Sequence, residues 1–436
     1  MQKTRKPNGW ILAKLNECLV SRSLKETFRA RPQDFTRQRK LSFEKVVLFT
    51  MNLSRRSIQV ELTKFIRSFA DGIRDVTGSA FNQSRKKLRP EVFRKLLEVT
   101  TGEFYSDNEQ RVKLWRGMRL LATDGSVFRL PEDPELKAVY GGVSTHTPTD
   151  IVNARGSVLY DVLNELVLHG VLAPFTVGER VLAQQHLGYC GQGDLVIYDR
   201  GYPSYGLMKE VADTGAHFLM RCKHSFNQLV IEFLASDQGT ALVSMAAGKT
   251  TVHAKGANKG HRIQVRLVKV VLPSGEVETL ITSLLDEKEY PTEVFKDLYH
   301  KRWGVEQFYD VIKNIVCVEN FTGHTDRVIQ QDFHSALLMC NIHSLLVSEA
   351  QDEMPEKGGK RKYDRKINKT VSFGFMKEAM VELLAQPDPQ VRIDGLKELF
   401  LSNTIPIRPG RTFPRDRNKH KARTKPKYFQ NSRRAW

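Results

Sequence analysis

The sequence predicts an α/β protein, and three observations carry the prediction. Short apolar runs such as "DLVIYD" (194–199) and "AHFLMRC" (216–222) have the length and composition of buried strands. Beside them lie segments with helical punctuation. "TVGERVLAQQHLG" opens with Thr176 and Glu179 at capping-box spacing and closes at Gly188, and "PSYGLMKEVADTG" runs from Pro203 to Gly215. Ahead of both come three strand-like segments, "MRLLATDGSVFRL", "SVLYDVL" and "ELVLHGVLA", with breaks short enough for antiparallel neighbours.

The resulting order over 118–222, β-β-β-α-β-α-β, is that of a ribonuclease-H-like sheet. Several functions share that order, so it assigns none by itself. From about 222 to 288 the segments "NQLVIEFLAS", "ALVSMAA", "HRIQVRLVKVVL" and "EVETLITSLL" read as strands, with "PSGE" at 273–276 as a hairpin turn: a β-rich insertion. Residues 1–110 read as helical. Within them "TGSAFNQSRKKLRP" predicts a short basic helix with Ser79 as N-cap. Such a helix could serve as the recognition element of a helix-turn-helix-like unit, with Arg85, Lys86 and Lys87 towards DNA. After the core, "VIQQDFHSALLMCNIHSLLVSEA" predicts a buried helix. The expected division is therefore a helical DNA-binding region (1–110), a catalytic core (111–345), a polar linker (346–372), and a helical segment with a basic tail (373–436).

Charge narrows the partners. The net charge of the 436 residues is +19, and residues 404–436 alone hold eleven lysines and arginines against one acid, Asp416. That balance favours a polyanion, nucleic acid before membrane, because neutralised phosphates release counterions. The five cysteines are scattered, with no CxxC and no zinc spacing, as expected of reduced thiols in a cytoplasmic protein. The apolar stretch near the N-terminus is interrupted by Lys14, Asn16 and Glu17, so it lacks a signal-peptide core, and no run is long enough to span a bilayer.

The chemistry concentrates in "LYHKRWGVEQFYDVIKN" (298–314). On a continuous helix Tyr299, Arg302, Glu306 and Lys313 project within roughly 60° of one another, whereas Trp303 points about 100° away from Arg302 and is expected in the core. Two further acids, Asp124 in "LLATDGS" and Asp199 at the end of "DLVIYD", sit where an α/β sheet collects ligands. Three carboxylates brought together repel one another, and divalent cations turn the same cluster into a ligand set. Mg²⁺ prefers such hard oxygen donors, and two ions about 3.5–4 Å apart can serve both the attacking and the leaving oxygen of a phosphodiester. Arg302 and Lys313 then suit phosphate oxygens, and Tyr299 suits a phosphate, a sugar or a base.

Tyr-x2-Arg-x3-Glu-x6-Lys resembles the Y-R-E-K signature of the DDE transposases of the bacterial insertion sequence four family, here as Tyr299, Arg302, Glu306 and Lys313. The phrases "LLATDGS", "LVIYDRGYPS", "VENFTGHTDRVIQQDFHSALL" and "GSAFNQSRKKLRPEVF" are also similar to that family, so the resemblance covers about 75–400. It implies a ribonuclease-H-like catalytic core with a strand insertion before the Glu helix. It implies Asp124, Asp199 and Glu306 as the metal-binding triad, with two Mg²⁺ ions for which Mn²⁺ substitutes. The activity implied is cut-and-paste transposition, in which water cuts at the element's end and the freed 3′-OH then attacks target DNA. The partners implied are double-stranded DNA, as the inverted repeats at the element's ends and as target, and a second copy of the chain in the synaptic complex. The expected location is the cytoplasm, at the nucleoid.

Overall fold

A computed structural model describes residues 8–52, 57–69, 76–107, 111–143, 151–247, 261–272, 274–354, 362–385 and 389–408. The basic tail beyond 408 and part of the expected linker lie outside these residues. The chain divides into two compact units, one from 1–112, 128–154 and 310–436, the other from 113–127 and 155–309.

The first unit is helical. Gly9–Val20, Arg22–Phe28, Phe43–Met51, Ile58–Arg67, Gly78–Arg85 and Glu91–Asp107 precede the sheet in sequence, and Asp326–Asp352, Lys369–Ala385 and Gln390–Ser402 follow it. Asp326–Asp352 is the axis of the unit, buried round most of its circumference by Ile329, Phe333, Leu337, Leu338, Ile342 and Leu346. Each such side chain taken fully from water contributes about 1.5–3 kcal/mol. Several of the polar residues buried along it have hydrogen-bond or ion-pair partners. His343 Nε2 lies 2.7 Å from the Ser372 hydroxyl, and Glu349 accepts from the Asn8 amide at 2.8 Å and pairs with Arg111 and Lys397.

The same demand corrects the expectation for Arg85. Gly78–Arg85 is a helix, capped by the Thr77 hydroxyl rather than by Ser79. Arg85, however, is only 2% exposed: Nη2 pairs with Asp332 at 2.5 Å, Nε donates to Gln331 at 2.5 Å, and Nη1 donates to Thr322. Its charge is consumed inside the protein by an acid 247 residues away, so it does not face DNA. Lys86 is exposed and Lys87 half-buried. Part of the expected linker is also ordered into secondary structure, since Arg365–Ile367 pairs antiparallel with Thr404–Pro406.

The sheet strands are β1 (Arg119–Arg129), β2 (Gly142–Val143), β3 (Ile151–Asp161), β4 (Leu166–Pro174), β5 (Asp194–Tyr198), β6 (His217–Cys222), β7 (Thr240–Ala246), β8 (Arg262–Val271) and β9 (Val277–Thr282). Short β2 pairs with the first residues of β3. In the second unit the order is β3-β1-β5-β6-β9-β8-β7, with β4 on β3. The segment β4-β3-β1-β5-β6 is the ribonuclease-H arrangement, with β1, β5 and β6 parallel.

The described residues of 222–288 build onto this sheet: β9, β8 and β7 continue it antiparallel from the β6 edge. One segment differs from expectation. "NQLVIEFLAS" forms the helix Gln228–Ala235, because the Asn227 side chain accepts from the Val230 amide and Val230 and Phe233 bury one face. The helix Glu179–Gln184 starts after Gly178 without a side-chain cap, so the Thr176 capping box does not form. Tyr205–Asp213 ends as expected, with Gly215 at φ 83° just beyond it. One core layer joins Leu120, Leu195, Ile197 and Leu219 to Phe295, Leu298 and Tyr299, which seats the helix Val294–His300 on the sheet. Among the described residues no helix is long and apolar enough to cross a membrane, and all five cysteines are free.

Candidate active site

Strand register assembles the first half of the site. Thr123 pairs with Tyr198 and Tyr198 with Met220 across parallel strands, so the next residues, Asp124, Asp199 and Arg221, come side by side where β5 runs out. This is the edge at which open α/β sheets bind ligands. Arg221 Nη2 pairs with Asp199 Oδ1 at 2.9 Å, and its Nη1 is held by Glu278 on the neighbouring β9.

The second half comes from two consecutive helices, Val294–His300 and Trp303–Asp310. They are joined by i→i−3 bonds, Lys301 N to Leu298 O and Arg302 N to Tyr299 O, a local tightening of the helix. Tyr299, Arg302 and Glu306 nonetheless converge. Tyr299 Oη donates to Asp199 Oδ1 at 3.2 Å, and Arg302 Nη2 donates to Glu306 Oε1 at 2.8 Å. Arg302 Nη1 stands 3.9 Å from Asp124 Oδ2. Trp303 is 39% exposed rather than in the core. Lys313 lies beyond, in a π-helical turn, Val311–Ile315, where the 100° extrapolation no longer holds. It belongs to the first unit, with Nζ 4.6 Å from the centre of the Phe128 ring.

The two aspartates titrate in opposite directions. Burial pushes the Asp124 carboxyl up to about 7, and the nearby Glu306 and Asp199 add to that rise against the Gly125 amide and Arg302. Burial also raises Asp199, but the Arg200 amide, Arg302, Arg221 and Tyr299 outweigh it and hold its pKa below the ordinary value. Burial keeps the Tyr299 phenol protonated, a donor.

Residues that the sequence did not single out complete the site. Tyr309 donates to the Asp124 carbonyl at 2.8 Å. Glu179 pairs with Arg155 at 2.8 Å and lies against Gly125, where an added Cβ would stand 2.9 Å from its Cγ. Gly125 therefore permits the close approach of a fourth carboxylate to β1 just after Asp124. The usable signal for Arg221 was its place at the end of a strand adjacent to β5; its pairing with Asp199 depends on register.

Among the described residues no three histidine, cysteine, aspartate or glutamate side chains already converge as a metal cage. Arg302 and Arg221 instead supply the positive charge that the carboxylates require. The donor set nevertheless suits a hard divalent cation: three carboxylates, one of them raised in pKa partly by the other two. Arg302 Nε and Nη1 and Arg221 Nε are buried and lack a hydrogen-bond partner among the described residues.

Comparison with known proteins agrees with this chemistry. The family described as Transposase DDE domain, whose members are DNA-cleaving and strand-transferring enzymes that use divalent metal ions, matches residues 115–342. The chain is 26% identical over 335 residues to the transposase InsG for insertion sequence element IS4 of Escherichia coli, covering 74% of this chain and 73% of that protein. It is 28% identical over 159 residues to the putative transposase InsZ of the same organism, covering 34% and 51%. Among solved structures, the piggyBac transposase synaptic complex with hairpin DNA aligns over 98% of this chain and 92% of that one, with 12% identity and a TM-score of 0.44. The family match spans more than half of the chain, and with the relationship to the IS4 transposase it places the chain among the DDE transposases of the insertion sequence four family: the protein is a DNA transposase.

Proposed function

We propose that Asp124, Asp199 and Glu306 hold two Mg²⁺ ions, with Mn²⁺ as a substitute, and that this site both cuts the ends of an insertion sequence and joins them to target DNA. The observation that carries the reading is the register-fixed pair Asp124/Asp199 with Glu306 brought to it through Arg302. When bound, the ions would lower the pKa of a water or 3′-OH and stabilise the leaving oxygen.

The chain's own residues do the rest. Arg302, now held between Glu306 and Asp124, is the cation that an arriving phosphate draws away, releasing both carboxylates. Arrival of DNA and completion of the carboxylate set are thereby coupled. Tyr299 holds Asp199 in place through its phenol, while Arg221, anchored by Glu278, keeps that carboxylate ionised. Lys86, Lys87 and Lys313 supply further phosphate contacts, and two copies of the chain pair the inverted-repeat ends in the synaptic complex.

Glu306→Gln tests the assignment. Divalent-dependent cleavage of a DNA fragment carrying the cognate ends is expected to vanish, with end binding retained within a few-fold. Cleavage by the variant at the wild-type rate would remove Glu306 from the site.

A further inference from the structure

Asp124 contributes more than a carboxylate to the site. Its backbone carbonyl accepts two side-chain hydroxyls, Tyr309 Oη at 2.8 Å and Ser157 Oγ at 3.3 Å. The two donors differ in what they carry. Ser157 is on β3, wholly buried, and backed by His186 Nε2 at 2.9 Å, so it ties strand to strand. Tyr309 stands three residues beyond Glu306 on the same helix, so the two side chains share a face and the hydroxyl ties that helix to the Asp124 strand.

The Tyr309 hydroxyl also meets the Val158 backbone amide on β3, and the helix has apolar seats on the second unit besides. Gly304 rests on Val162, where an added Cβ would stand 3.2 Å from the valine Cβ, and Phe308 packs against Tyr160 with ring centres 5.0 Å apart. Apolar contacts set how deep a helix lies, yet each is weak and nondirectional. A hydrogen bond restricts both distance and angle, so Tyr309 fixes rotation and axial position. Burial keeps its phenol protonated, and the carbonyl can only accept.

We propose that Tyr309 is a positioning residue of the carboxylate site: its hydrogen bond to the Asp124 carbonyl fixes where Glu306 stands relative to Asp124. The inference rests on the reading that these two acids share metal ions. Tyr309→Phe removes one hydroxyl, keeps the ring in its pocket and leaves Ser157 on the carbonyl, so the variant retains its fold.

The test is a Mn²⁺ titration of the full chain bound to a DNA duplex with the cognate end, following the free-ion paramagnetic resonance signal. Val162→Ala and Glu306→Gln serve as companions, with thermal unfolding recorded for every variant. Tyr309→Phe is expected to weaken Mn²⁺ binding by about 10- to 100-fold, the range typical of groups that orient metal ligands, with DNA affinity unchanged. Val162→Ala loosens the apolar seat without touching the directional tie, and is expected to lower the melting temperature at unchanged Mn²⁺ affinity. Wild-type Mn²⁺ affinity in Tyr309→Phe, alongside its loss in Glu306→Gln, overturns the inference alone. Equal weakening in Val162→Ala and Tyr309→Phe also overturns it, by making the effect general loosening. Wild-type Mn²⁺ affinity in Glu306→Gln defeats the metal assignment itself.

Discussion

Replacing Asp124 by asparagine should stabilise the metal-free protein at neutral and alkaline pH, although it destroys the proposed site. The carboxyl titrates at about 7 in the folded chain against an ordinary 3.8, chiefly because it is buried. With the folded value raised, this group's contribution to stability is complete below about pH 4. It is lost as pH rises through 7, since the unfolded chain ionises first. The full difference corresponds to about 4 kcal/mol at 1.36 kcal/mol per tenfold. The side chain is 21% exposed, and screening by solvent brings the expected gain for Asp124→Asn at pH 8 to roughly 2 kcal/mol. Urea unfolding in EDTA at pH 5 and pH 8, read as the difference between variant and wild-type midpoints, measures it. Asp199→Asn provides the opposite sign: its folded pKa is lowered, so the stability it contributes exists above the unfolded value and is lost as pH falls. The reasoning fails if the advantage of Asp124→Asn is no larger at pH 8 than at pH 5.

Arg85→Ala leaves Asp332 buried without its cation and should cost about 3–5 kcal/mol in unfolding free energy, with DNA affinity of the folded fraction unchanged. The double replacement of Lys86 and Lys87 by alanine should do the reverse, weakening DNA binding at unchanged stability; the opposite pattern would restore Arg85 as a DNA contact. Arg302→Ala should slow cleavage and reduce the slope of log affinity against log salt by about one, as expected for a single lost phosphate contact. An unchanged slope with an unchanged rate would count against that contact.

What could be read in the sequence was local. The apolar run of β5, the carboxylate within "LLATDGS" and the one at the end of "DLVIYD" are visible one residue at a time, and Tyr299, Arg302 and Glu306 share a helical spacing. Their convergence rests on the pairing of Thr123 with Tyr198, a contact between strands 75 residues apart that no short window contains. Long-range partners also explain the errors. Arg85 looked like surface charge because Asp332 lies 247 residues on, and Arg221 went unnoticed because its value depends on its neighbour across the sheet. "NQLVIEFLAS" was ambiguous for a different reason: a short apolar run fits either period, and the cap by Asn227 settles it as a helix. Lys313 lies within a π-helical turn, whose residues per turn differ from those on which the expected stripe is drawn.

The central claim is that the carboxylates of Asp124, Asp199 and Glu306 are metal ligands, and a change of ligand hardness at one of them tests it most directly. Asp199→Cys replaces a hard oxygen donor by a softer thiolate, so DNA-end cleavage should be lost with Mg²⁺ and recovered at least in part with Mn²⁺ or Cd²⁺. Cleavage by Asp199→Cys with Mg²⁺ at the wild-type rate would contradict the account.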